Sequence, residues 1–173
     1  DPAKRRGVGV ASMWYGCGET GHHHPSSAFC EVHPDGTATV QCAAAEIGQG
    51  SDTALTQIAA ETLGLEVEDV KLVTDSTIAP NANETSASRQ TFVSGNAVRL
   101  ATEDALETIV AKATEVFEDT FDVAATADEL AARDGEIVHE PSGEAISFEE
   151  AVLACNNDGL LLTGTATYTP LFD

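Results

Sequence analysis

With 29 acidic against 8 basic side chains in 173 residues, the chain carries a formal charge of -21 and a sequence pI near 4.2. Such a field repels polyanions, so nucleic acid and anionic membrane surfaces are excluded as partners. At 42% hydrophobic, with one Trp, two Tyr and six Phe, the chain is globular and its core must come mainly from Ala, Val, Leu and Ile.

The start, "DPAKRRGVGV", and the end, "GTATYTPLFD", enter and leave strand-like sequence abruptly. We therefore expect residues 1–173 to form one α+β domain that is a segment of a longer polypeptide. Residues 7–17, "GVGVASMWYGC", alternate and predict a strand, with Trp14 and Tyr15 as core or interface anchors. The Gly- and Pro-containing "GETGHHHPS" is a loop. In "SAFCEVHPDGTATVQC" the Pro34-Asp35-Gly36 turn separates two alternating runs and predicts a hairpin. Pairing about that turn puts Ala28, Cys30 and Val32 on one face with Ala38, Val40 and Cys42.

After Gly50, the stripe Leu55, Ile58, Ala59 and Leu63 predicts an amphipathic helix, with Ser51 or Asp52 as N-cap and Gly64 as the stop. "DVKLVTD" is a short strand with Val70 and Leu72 on one side, and residues 76–88 read as a long polar loop. A longer helix spans residues 90–117, marked by Leu106, Ile109, Val110, Ala113 and Val116. "ADELAARDG" predicts a short helix closed by Gly135, "EIVHE" an exposed strand, "SFEEAVLACNNDG" a helix capped by Ser147 and Glu150, and "LLLTGTATYTP" a final strand. Strands and helices mixed without a strict βαβ rhythm predict α+β. A mixed or mainly antiparallel sheet with a hairpin then packs against two main helices and shorter C-terminal ones.

Chemistry-bearing side chains are sparse. Cys17, Cys30, Cys42 and Cys155 form no CxxC pair, and no signal peptide or membrane-length apolar run is present, which together predict a reduced, cytoplasmic chain. The acid-rich, lysine-poor composition resembles that of proteins adapted to a salty cytosol, where ions screen self-repulsion. The adjacent His22, His23 and His24 sit in one loop without Cys or acid partners at ligand spacing, so no protein metal site is expected. Glu46 is expected to end a strand and stay solvated, and no catalytic residue is assigned to the chain.

Two loops stand out because each is a polar, small-residue stretch feeding a helix: "IGQGSD", residues 47–52, and "NETSASRQTFVSGNAV", residues 83–98. A helix entrance has unpaired N–H groups and partial positive charge, which suits phosphate-like anions, and glycine admits close approach. The second loop adds the hydroxyls of Thr85, Ser86 and Ser88 and the side chains of Arg89 and Gln90. Together they describe a cradle for a polar, phosphate-bearing ligand.

"EIGQGSDTALTQIAAETLG" followed by "VKLVTDSTIAPNANETSASRQTFVSGNAV" resembles the molybdenum-cofactor domain of the xanthine dehydrogenase and aldehyde oxidoreductase family. "RRGVGVASMWYGCG", the "PDGTATV" hairpin and, more weakly, "DGEIVHEPSGEAISFEEAV" and "GTATYTP" extend the likeness along nearly the whole chain. The resemblance implies molybdopterin as cofactor, with Ile47, Gly48, Gln49 and Gly50 from the first loop and Thr85, Ser86, Ala87, Ser88, Arg89 and Gln90 from the second as binding residues. It implies that the Gln49 amide hydrogen-bonds the cofactor, while Arg89 faces either the cofactor or another subunit.

The metal-binding sulfurs belong to the pterin, so the family needs no cluster of protein ligands. The reaction implied is hydroxylation of an aldehyde or heterocycle carbon with water-derived oxygen. Its general base, in a GxGE-like motif, has no match in this chain. Implied partners are the remainder of the large subunit, an iron–sulfur module, a flavin module and a small-molecule substrate. The alternative is a stand-alone acidic α+β module that binds some other phosphate ligand and catalyses nothing.

Overall fold

The computed structural model describes residues 3–18 and 21–171. The Pro-Asp-Gly turn folds the first hairpin: strand β1, Ser26–Val32, pairs antiparallel with β2, Ala38–Gln41, with Cys30 opposite Val40. Gly36 supplies the left-handed residue at φ 81°. The Asp35 carboxylate accepts from the backbone and hydroxyl of Thr37 at 3.1 and 2.7 Å, fixing the turn and holding its own pKa below the usual range. The predicted inward face is buried throughout, from Ala28 to Cys42, and Cys30 and Cys42 are both free thiols.

Helix α1, Ser51–Leu63, buries Leu55, Ala59, Ala60 and Leu63. Gly64 ends it in the left-handed region at φ 69°, while Leu65 N–H returns to Ala60 O at 2.9 Å in a Schellman closure. The N-cap is Gly50, itself left-handed, rather than Ser51 or Asp52. Its φ of 83° opens the turn without help from a side-chain cap. Strand β3, Val70–Val73, then lies parallel to β2, so β2–α1–β3 is a crossover unit laid on an otherwise antiparallel sheet.

Helix α2, Gly95–Phe121, continues from a π-type turn at Gln90–Ser94 and runs four residues past the predicted end. Its buried stripe is mostly small: Ala97, Ala101, Ala105 and Ala113 with Val98, Ile109 and Phe117. Small residues let a helix sit close to a sheet. Strand β4, Leu130–Arg133, and β5, Glu136–His139, form a second hairpin, extended by β6, Ala145–Ser147. Here the predicted "ADELAARDG" helix is corrected. Only Ala127–Glu129 makes a 3₁₀ turn, and Asp134 and Gly135 take φ 52° and 76°. That is the Asp-Gly hairpin turn, which the composition of the preceding residues masks.

Helix α3, Phe148–Asn157, starts at Ser147, whose hydroxyl accepts from Glu150 N–H at 3.1 Å. Strand β7, Thr163–Tyr168, pairs with β1 and gives the main sheet the order β3-β2-β1-β7. The architecture is α+β, a mixed sheet plus a small antiparallel one with helices between, and one buried cluster joins them.

Residues 7–17 form no strand. Val8, Val10 and Trp14 are 95–99% exposed, and Tyr15 is 61% exposed, so neither aromatic is a core anchor. Alternation marks extended backbone, but a strand also needs an edge to pair with. His139, expected in an exposed strand, is 6% exposed instead and lies against the Phe117 ring. No helix among the described residues is long and apolar enough to cross a membrane.

The tightest element contact is at Gly164 on β7, where an added Cβ would lie 2.1 Å from Ala101 O and 2.5 Å from Ala105 N. Helix backbone and strand backbone therefore touch without an intervening side chain. Gly164→Ala is expected to force α2 off the sheet and destabilise the chain by roughly 2–3 kcal/mol, read as a lower urea midpoint. An unchanged midpoint would contradict this packing.

Candidate functional site

The loop before α1 is held by its own side chains. The Glu46 carboxylate accepts from Gly48 N–H at 2.7 Å and Gly50 N–H at 3.0 Å through one oxygen. Its other oxygen accepts from Asp52 N–H at 3.1 Å and the Ser51 hydroxyl at 3.2 Å. Backbone donors at a helix mouth stabilise the anion. The bonds from Gly50 and Asp52 accordingly hold Glu46 down to about 2.

Glu46 is thus a clamp rather than a merely solvated strand end. Amides expected to greet a ligand at this helix mouth already hold an internal carboxylate. Gln49 braces the same loop: its Nε2 donates to Ala45 O at 3.1 Å and Ser51 Oγ at 2.9 Å, and its Oε1 accepts from Ile47 N–H at 2.6 Å. Both amide protons are used, leaving the second Oε1 lone pair.

The second loop approaches this one directly. Thr85 donates its hydroxyl to Ala45 O at 2.8 Å and accepts from Gln90 Nε2 at 2.8 Å. Consecutive Ala87 and Ser88 adopt left-handed φ of 45° and 53°, and Asn83 adopts 57°. Such strain in non-glycine residues persists only where surroundings impose it, and it clusters at functional sites. Gly18 N–H donates to Ala87 O at 2.9 Å, so the N-terminal arm returns to this strained corner. The π-type turn at Gln90–Ser94 follows, with its leading amides outside the intrahelical ladder.

Arg89 does not point out. It is 0% exposed and donates to Glu84 O at 3.0 Å, His24 O at 2.9 Å, Pro25 O at 3.3 Å, Ser26 Oγ at 3.2 Å and Ala82 O. These bonds tie the second loop to the start of β1.

A cavity of about 390 Å³ separates the two loops, within the size range of small-molecule sites. All the residues named from the sequence except Gly48 line it, joined by Ser51, Ala54 and Thr91. Gln49 and Ser88 therefore share one wall. Ideal Cβ atoms at Gly48 and Gly50 would meet nothing within 4 Å, so the loop is open on its glycine side, and Gly50 adds bare backbone to the cavity lining. The donor set is neutral, made of hydroxyls, amides and helix-start N–H groups. It fits a polar ligand bearing phosphate at the second loop and the α2 entrance, while α1's own entrance is closed by Glu46.

A larger cavity of about 510 Å³ lies at the opposite end of α1. Its walls carry Glu61, Glu66 and Asp134 against the single cation Arg133, beside the C-terminus of α1, a setting that disfavours an anion. No group of His, Cys, Asp and Glu among the described residues forms a metal site.

Sequence reasoning missed Glu46, Ala45, Ser26 and Ser94 as parts of this assembly. Only Glu46 left a usable signal. It stands two, four and six residues before Gly48, Gly50 and Asp52, the backbone donors that fold back on it.

Fold and site together define an α+β module with a cleft for a polar, acceptor-rich small molecule between a glycine loop and a helix start. The chain belongs to the molybdopterin cofactor-binding domain family, whose pattern matches residues 1–173. It is 40% identical over 116 residues to the xanthine dehydrogenase molybdenum-binding subunit of Escherichia coli O157:H7, covering 63% of this chain and 15% of that one. It is 36% identical over 107 residues to the aldehyde oxidoreductase of Megalodesulfovibrio gigas, covering 60% and 12%. The crystal structure of quinoline 2-oxidoreductase from Pseudomonas putida 86 superposes with a TM-score of 0.68 at 26% identity, over 86% of this chain and 19% of that one. The chain spans less than a fifth of the length of each.

Glu46 has a measurable pH signature. Its pKa is about 2 when folded, below its ordinary 4.5, so its stabilisation is complete above pH ~4.5 and is lost as pH falls through ~2. Wild type is therefore expected to exceed Glu46→Gln in stability near neutrality, with the gap closing between pH ~4.5 and ~2. A gap independent of pH in unfolding titrations would contradict the clamp.

Proposed function

We propose that residues 1–173 are one segment of a longer molybdopterin-binding subunit. In the whole protein that subunit would hydroxylate an aldehyde or heterocycle carbon with oxygen derived from water. The observation that carries this reading is the hydroxyl bond from Thr85 to Ala45 O at 2.8 Å, which makes two separate loops into one cavity wall. Membership of the cofactor-binding family supports it, as do relatives named for xanthine and aldehyde oxidation.

In this reading the molybdenum cofactor, when bound, would supply the redox chemistry, and water the oxygen. The chain's own residues do the holding. Ser86, Ala87 and Ser88, with the leading amides of the α2 turn, receive the phosphate end of the ligand, where helix-start charge favours an anion. Gln90 and Thr85 fix the edge of the cleft. Gly50 keeps the opposite edge free of a side chain, and Ile47, 73% exposed, would be available to pack on the pterin. Gln49 offers its remaining Oε1 lone pair to a pterin N–H.

No residue of this segment moves a proton in the reaction; the general base belongs to the rest of the subunit. Iron–sulfur and flavin groups belong to other domains or subunits that pass electrons onward. Four free cysteines, three of them buried, fit a reducing cytoplasmic compartment.

The test is cofactor analysis of the full-length protein from a host that makes the cofactor. Molybdenum and released pterin are expected near one per chain, and Gln90→Leu is expected to lower retained pterin about tenfold at limiting cofactor. A folded full-length protein free of both would refute the function.

A further inference from the structure

The Arg89 guanidinium is a buried cation whose acceptors are all carbonyl or hydroxyl oxygens; none is a carboxylate among the described residues. Burying a charge is costly unless it is fully hydrogen-bonded, and arginine cannot shed its proton to escape. In a chain of net charge -21, a buried arginine bonded only to neutral oxygens, with its Nε left unpaired, invites the question of what its charge does.

The hydrogen bonds leading from it can run continuously in one direction only, away from the guanidinium. Arg89 Nη2 lies 3.2 Å from Ser26 Oγ, and guanidinium only donates. Ser26 Oγ lies 2.9 Å from Ser94 Oγ and 3.0 Å from Ala82 O, which also accepts from Arg89 Nη1, so its one proton can go to either oxygen. Ser94 donates to Gln90 Oε1. Gln90 Nε2 donates to Thr85 Oγ1 at 2.8 Å, and Thr85 donates to Ala45 O at 2.8 Å. With the Ser26 proton directed to Ser94, every hydroxyl accepts on its Arg89 side and donates on the other.

The opposite order is closed, because a cation cannot accept at one end and a carbonyl cannot donate at the other. The order also fixes the Gln90 amide. Flipped, Gln90 would present its oxygen to Thr85, take the hydroxyl proton, and leave Ala45 O without the bond that joins the loops.

We propose that Arg89 is a positioning residue that acts from beneath the cavity, polarising the chain Ser26–Ser94–Gln90–Thr85 so that the glycine loop is held against the second loop in its cofactor-ready place. Hydrogen bonds in a chain reinforce one another, so the charged end strengthens the far one. The proposal rests on the cofactor-binding reading above, and it gives the guanidinium of Arg89, a residue of the cavity lining, a positioning task. Ser26 and Ser94, both 0% exposed, enter the assembly as members that sequence spacing does not reveal.

The experiment measures the rate at which pterin is lost from the loaded full-length protein on dilution, for wild type, Arg89→Met, Ser94→Ala and the double variant. Each single variant is expected to lose pterin about tenfold faster, the scale of a broken hydrogen bond to a charged or buried group. The double variant is expected to be no faster than Arg89→Met alone, because both cut one chain. A purely structural arginine would give multiplicative effects, and that outcome overturns the proposal.

If Arg89→Met fails to fold, Ser94→Ala alone decides. It leaves the guanidinium bonded, and a wild-type loss rate would overturn the proposal while accelerated loss supports it. Wild-type protein lacking pterin would instead refute the cofactor reading itself. Loaded wild type with variants that lose pterin at the wild-type rate refutes only the role of Arg89.

Discussion

The site depends on one hydroxyl. Thr85 reaches across 40 positions of sequence to the carbonyl of Ala45, and that bond makes the glycine loop and the strained second loop edges of one cleft. Everything else arranges for it. The crossover from β2 through α1 to β3 sets the first loop at the end of the sheet. The close approach of α2 to β7 at Gly164 fixes the axis whose first turn carries Gln90. Because helix backbone meets strand backbone there, the entrance of α2 has little freedom to drift.

Electrostatics divides the two loops between different tasks. A helix N-terminus prefers an anion, and the two helix starts at this cleft satisfy that preference differently. At α1 the anion is internal: Glu46 occupies the amides of Gly48, Gly50 and Asp52. That shapes the glycine loop in advance, which lowers the ordering cost of binding. At the π-type turn opening α2 the leading amides stay outside the helical ladder, and the strained Ala87–Ser88 corner stands beside them. Helix-start amides are therefore left open to an outside anion on one side of the cleft only. The long-range field of an acidic chain opposes any anion, so this local complementarity has to carry the binding.

Much of this was legible in the sequence, for physical reasons that can be named. The Pro34-Asp35-Gly36 turn and its alternating flanks fixed a hairpin whose register is local. The stripe from Leu55 to Leu63, with Gly64 as stop, marked a helix of 13 residues because the period of burial and the left-handed stop agree. The two loops were visible as small-residue stretches ahead of helices.

What was hidden is what depends on distant partners. Residues 7–17 alternate like a strand and find no edge to join. "ADELAARDG" has helix-forming residues but ends in an Asp-Gly turn that favours a hairpin. Arg89 reads as a charge turned toward a cofactor or another subunit because arginine is seldom buried, and the carbonyls of residues 24, 25, 82 and 84 that take its protons come from distant sequence or a folded-back loop. Glu46 resembled a solvated acid because nothing in composition shows that a loop folds back on it.

Hydrogen–deuterium exchange of the full-length protein, with and without its pterin, addresses the shared wall most directly. The account predicts that amides of residues 46–52 and 84–91 gain protection together when the cofactor is present. Protection confined to one of the two loops, with the other exchanging as in the cofactor-free protein, would contradict it.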